Sequence, residues 1–184
     1  MGLYLNPNAD AFQMGLNTEI YVDKSLILSE LNKLVSSQGN FVCLSRPRRF
    51  GKSMAGNMIS AYYSKGCDTR EVFSQMKLGQ EPCFDKYLNK FNVIKLDLNG
   101  WYQNTKKKNT HASLIEQIDK IVAEEFKEQF QNIVFGDDEN SIDKCISKVY
   151  KLTGEKFVII IDEYDVLIRE QVPQSLFDSY LSFL

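Results

Sequence analysis

Phe157-Val158-Ile159-Ile160-Ile161 is the longest uninterrupted apolar run in the chain, and two carboxylates, Asp162 and Glu163, follow it directly. A strand with one face in water alternates apolar and polar residues; a run of branched apolar residues with no alternation predicts a strand covered on both faces. Such strands sit in sheets packed between helices. A run of this length is also far short of a membrane span.

The rest of the chain reads as helices and strands in alternation. Residues 1–23 carry no clear helical period, although Glu19-Ile20-Tyr21-Val22 has the composition of a short strand. Asp23 is placed to cap a helix with Ile27, Leu28, Leu31, Leu34 and Val35 on one face, ended by Gly39-Asn40. Phe41-Val42-Cys43-Leu44 has the form of a short buried strand. A helical stripe of Met54, Ala55, Met58, Ile59 and Tyr62 follows and stops near Gly66. A second strand is expected at Asn92–Leu98, then a loop through Gly100-Trp101-Tyr102 and Lys106-Lys107-Lys108. Helices are expected from Ser113 to Phe130, with Leu114, Ile118, Ile121, Val122 and Phe126 in step, and from Ser141 to Thr153-Gly154. Pro173 opens a last one bearing Leu176, Phe177, Tyr180 and Leu181. The fold class that follows is α/β with a mainly parallel sheet.

Composition narrows the chemistry. The 184 residues suit one compact domain with a real core, and a net charge of −2 gives no overall basic excess for nucleic acid. Cys43, Cys67, Cys83 and Cys145 are scattered with no C-x-x-C pair, which argues for reduced structural cysteines and against a zinc or dithiol site. The single histidine, His111, lies in a polar stretch at a helix start, where a solvated side chain is expected. The first twelve residues hold no basic side chain, and Asn6 stands where a myristoylation signal needs Ser or Thr. The expectation is a cytoplasmic protein with no membrane segment.

Three of the five arginines fall together, at Arg46, Arg48 and Arg49. Gly51-Lys52-Ser53 follows, between an apolar run and a helix. A loop there turns backbone N–H groups and the positive helix end toward an anion, so it suits phosphate. Lys52 reaches β- and γ-phosphates as a point charge, and the Ser53 hydroxyl suits Mg²⁺. Phosphoryl transfer needs a further carboxylate at a strand end to hold Mg²⁺, which Asp162 offers, and Glu163 is positioned to polarise an attacking water. Taken singly, these are also an ordinary basic turn and a core strand ending in an acidic turn.

Ser45-Arg46-Pro47-Arg48-Arg49-Phe50-Gly51-Lys52-Ser53, followed by Ile161-Asp162-Glu163-Tyr164-Asp165, resembles the bacterial AAA-ATPase-like family of P-loop NTPases. Tyr21-Val22-Asp23-Lys24-Ser25 and Ala61-Tyr62-Tyr63-Ser64-Lys65-Gly66-Cys67-Asp68 are similar to it too, so the likeness spans essentially the whole chain. The resemblance implies a P-loop NTPase-type layered α/β core using ATP and Mg²⁺, with Lys52 and Ser53 on phosphate and magnesium, Asp162 on magnesium and Glu163 catalytic. Many members continue into a C-terminal domain similar to PD-(D/E)XK nucleases. In the general pattern G-x-x-x-x-G-K-S the first glycine falls at position 46, which is arginine here and in the resembling family. Arg46, Arg48 and Arg49 are candidates for added phosphate contacts, or else form a basic surface or subunit-facing turn.

Two function classes remain open: slow ATP hydrolysis with Glu163 activating water, and a nucleotide-dependent switch or binding module with negligible turnover, coupled to a nucleic-acid or protein partner. A helicase, suggested by Asp162-Glu163-Tyr164-Asp165, has no other motif behind it. Arg169 follows Glu163 too closely to serve as an arginine finger on position alone, and no sensor residue is identifiable. Residues 1–38 are expected to pack as an N-terminal segment and helix on a core of residues 39–184. Because the chain stops at Leu184 inside an amphipathic pattern, the core is expected to be only the N-terminal part of the domain. A gap or a direct pairing is then expected between Phe41–Leu44 and Phe157–Ile161, with the last helix poorly anchored and a partner engaged through the absent region.

Overall fold

The computed structural model describes residues 2–35, 37–45, 50–108 and 113–184. Strand β1 (Asn92–Asp97) pairs in parallel with β2 (Phe157–Asp162), in a register that sets Asn92 opposite Phe157 and Asp97 opposite Asp162. Ahead of β1 come α1 (Asp10–Leu16), α2 (Leu26–Leu34), α3 (Lys52–Tyr63), α4 (Arg70–Ser74) and a 3-10 turn at Lys77–Gln80. The connection to β2 contains α5 (Leu98–Lys107), α6 (Leu114–Gln129) and α7 (Ile142–Thr153), and α8 (Val166–Arg169) and α9 (Gln174–Phe183) follow β2.

The alternation of side chains along the strands divides the interior into two cores. Ile94 and Leu96 of β1, with Phe157 and Ile161 of β2, face residues of α5, α6, α7, α8 and α9. Val93, Val158 and Ile160 face the opposite way, onto α1, α2, α3 and α4. Val93, Ile94 and Leu96 are fully buried, each burial worth about 1.5–3 kcal/mol. Helices therefore pack on both faces of the pair, more completely over β1 than over β2, whose residues are half-buried except the exposed Ile159. The α/β class expected from the sequence is borne out.

The free edge of β1 is held by the N-terminal segment. Asn6 N–H donates to Val93 O at 2.7 Å, and Lys95 N–H donates to Tyr4 O at 2.9 Å. The Glu125 carboxylate on α6 accepts the amides of Leu3, Tyr4 and Leu5, fixing that segment from the other side. The other edge of β2 has no strand beside it among the described residues, and Ile159 is half exposed there.

Several local expectations are corrected. Phe41–Leu44 joins no strand among the described residues, and Phe41 is 91% exposed. Four apolar residues become a strand only when a ladder partner satisfies their backbone, and this segment finds none among the described residues. Glu19–Val22 is likewise irregular, with Ile20 and Val22 exposed. The expected loop at Gly100-Trp101-Tyr102 and the lysine run lies largely within α5, whose N-terminus is capped by Asp97 Oδ1 accepting Gly100 N–H at 3.1 Å. Leu98, Trp101, Tyr102 and Thr105 bury one stripe of that helix, and Lys106 and Lys107 sit favourably at its negative end. The last helix is anchored, not loose: Leu176 and Tyr180 are buried, and Tyr180 Oη donates to Tyr164 O at 2.5 Å. His111 lies outside the described residues.

Candidate functional site

Gly51 precedes α3 with φ +76°, a left-handed conformation that costs glycine nothing and other residues roughly 1–2 kcal/mol. The turn aims the start of α3 outward. The N-cap residue, Gly51, has no side chain to cap with, and the first turn holds no acidic residue, so among the described residues nothing closes the positive helix end to an anion. The C-terminal half of α3, Met58 to Tyr63, is buried, whereas Lys52 is half-buried and Gly51 and Ser53 are exposed. Lys24, just before α2, donates from Nζ to Phe50 O at 3.2 Å and ties the end of the loop to the body.

Glu163 supplies the facing wall. Its φ of +52° is strained for a residue with a side chain, and it turns the chain sharply out of β2. Val166 N–H donates to Glu163 O at 3.0 Å, which closes the turn into α8. Val166 and Leu167 are buried, so α8 stays fixed while Arg169 at its end faces the same opening. Asp162 stands one residue back, and its Oδ1 accepts Glu163 N–H at 2.9 Å.

Between these walls lies an open cleft of about 740 Å³. Gly51, Lys52 and Ser53 line one side, and Glu163, Arg169 and Glu170 line the other, with Asn99 from the start of α5. Arg169 Nη2 lies 2.9 Å from Glu163 Oε2, and its Nε lies 3.6 Å from Asp165 Oδ2. Glu170 Oε2 pairs with Lys106 Nζ at 3.1 Å. Beneath the cleft, Lys95 of β1 bonds Asn57 of α3; burial lowers its affinity for a proton, while the charges of Asp162 and Asp97 pull the other way.

The fold thus brings together Gly51, Lys52, Ser53 and Glu163, with Asp162 directly behind. Arg46, Arg48 and Arg49 lie outside the described residues. Arg169, set aside on position, lines the cleft, and Asn99 and Glu170 escaped sequence reasoning altogether. Arg169 stands four residues after Asp165 on one short helical turn, which was the available signal.

Oxygen donors and a lysine at a helix start fit a magnesium–polyphosphate. Among the described residues no three His, Cys, Asp or Glu side chains gather as a metal site, and magnesium shared with phosphate oxygens needs only one or two protein carboxylates. No helix among the described residues is long and apolar enough to cross a membrane. Neither the curated proteins nor the solved structures compared with the chain contain a match. The family model described as a predicted AAA-ATPase matches residues 11–184, and the chain belongs to this AAA-ATPase-like family, as its motifs indicated.

Proposed function

We propose that the chain binds ATP with Mg²⁺ in this cleft and hydrolyses it slowly. The observation that carries this is the meeting of Gly51-Lys52-Ser53, at an open helix start, with Glu163 across one cleft. Family membership supports nucleotide use. The Lys52 ammonium and the first amides of α3 hold the β- and γ-phosphates. The Ser53 hydroxyl and the Asp162 carboxylate would hold the magnesium, which neutralises charge on those phosphates. Glu163 takes a proton from water as the water oxygen bonds to the γ-phosphorus and the bond to the β–γ bridging oxygen breaks, giving ADP and phosphate. Arg46, Arg48 and Arg49 are candidates in the same reading for charge-assisted contacts to the phosphates. In the same proposal the β1–β2 pair is part of a P-loop NTPase-type layered core spanning residues 39–184, on which residues 1–38 pack.

A switch with little turnover is the second reading, favoured by the Glu163–Arg169 ion pair, because the guanidinium occupies a carboxylate oxygen that an attacking water would need. A protein or nucleic-acid partner would then read the nucleotide state. Glu163→Gln separates the two. It should keep Mg-ATP binding and suppress phosphate release at least a hundredfold, about the size of a general-base contribution. Phosphate release unchanged by the substitution would remove Glu163 from the chemistry, and release already absent in the wild-type protein would favour the switch.

A further inference from the structure

The Arg169–Glu163 ion pair sits inside the cleft, not beside it. Both side chains line the opening that Lys52 and Ser53 face, and they are 32% and 27% exposed. Among the described residues, the lining carries two cations, Lys52 and Arg169, and two carboxylates, Glu163 and Glu170. A polyphosphate entering such a cleft meets carboxylates that repel it and a guanidinium that is already engaged.

Resting on the nucleotide reading above, we infer that Arg169 distinguishes a triphosphate from a diphosphate by exchanging partners. Without a γ-phosphate the guanidinium holds Glu163; with one it moves to the γ-phosphate oxygens and releases the Glu163 carboxylate. No covalent bond changes in this step. Three features support the exchange. A part-exposed ion pair is a weak tie, so it yields readily to a more highly charged anion. The planar guanidinium suits phosphate oxygens in two-pronged contact as well as it suits a carboxylate. The backbone origin of Arg169 is fixed by the buried Val166 and Leu167, so only the side chain need turn. The device couples the base to the substrate: Glu163 is free to accept a proton only when a γ-phosphate is present to be attacked.

Binding measurements on the full chain test this, using Mg²⁺ with ADP and with the non-hydrolysable triphosphate adenylyl imidodiphosphate. Arg169→Met keeps the aliphatic stem and removes the guanidinium. It should weaken triphosphate binding about tenfold, the value of a charge-assisted contact, and leave ADP within twofold. Glu163→Gln should tighten triphosphate binding, because the competing ion pair and one repelling charge are gone, and should do so more strongly while Arg169 is present than in the Arg169→Met background. Arg169→Lys, which keeps the charge without the fork, should fall between wild type and Arg169→Met. Equal losses for both nucleotides, or no loss for either, would overturn the exchange while leaving the nucleotide site standing. Binding of neither nucleotide by the wild-type protein would overturn the site itself and the exchange with it.

Discussion

Two residues with left-handed backbone face each other across the cleft, and they obtain that geometry differently. Gly51, at φ +76°, has no Cβ to strain, while Glu163, at φ +52°, carries its strain on a side chain that lines the cleft. The turn at Glu163 is over-determined by the Val166 amide behind it and the buried start of α8, which is how a costly conformation persists. A Cβ added at Gly51 would meet Lys24 Nζ at 3.5 Å, an ordinary contact. The cost of Gly51→Ala is therefore backbone strain alone. Chemical denaturation should show a loss of about 1–2 kcal/mol with no change in the slope of the transition. A neutral result would mean that α3 can start without the left-handed turn.

At the scale of elements, α5 shows how one side chain decides between loop and helix. Asp97 ends β1 and caps α5 at once, so Asp97→Ala should cost about 1 kcal/mol of stability and loosen the amides of the first α5 turn in hydrogen exchange. No such change would mean that Trp101 and Tyr102 hold the helix by burial alone. The same element shows what a sequence displays and what it hides. Strand β2, the helices from Leu114 to Gln129 and Ile142 to Thr153, and the Gly51-Lys52-Ser53 turn were legible because their signals are local: apolar period, cap and breaker lie within a few residues. In α5, Gly100-Trp101-Tyr102 and the lysine run looked like a loop, and the stripe Leu98, Trp101, Tyr102 and Thr105 emerges only once Asp97 is read as a cap. Phe41–Leu44 misled for the opposite reason, since strand pairing depends on a partner far away in sequence. Arg169 was visible as a residue but not as a wall of the cleft, because a four-residue helix and a strained glutamate direct it there.

Across the whole molecule, β1 and β2 separate two cores, and the cleft opens where β2 ends against the start of α3, as ligand sites in parallel α/β sheets tend to lie beyond the carboxyl ends of strands. The cores also set the response to alkali. Burial pushes the Cys145 thiol from about 9 up to about 11, so the folded protein holds that proton after the unfolded chain has released it. The stabilisation is fully present below pH ~9 and is lost as pH rises toward 11, steepening alkaline unfolding. Cys145→Ala should flatten that limb, and the exposed Cys43 should alkylate well before Cys145 in the native protein. The proposed nucleotide site is tested most directly by thermal unfolding with and without Mg-ATP. A hundredfold excess of nucleotide over Kd adds about 2.7 kcal/mol, a rise of about 5–10 °C for a domain of this size. The wild-type protein should show that rise and Lys52→Ala should not; an equal rise in both would contradict phosphate binding at the start of α3.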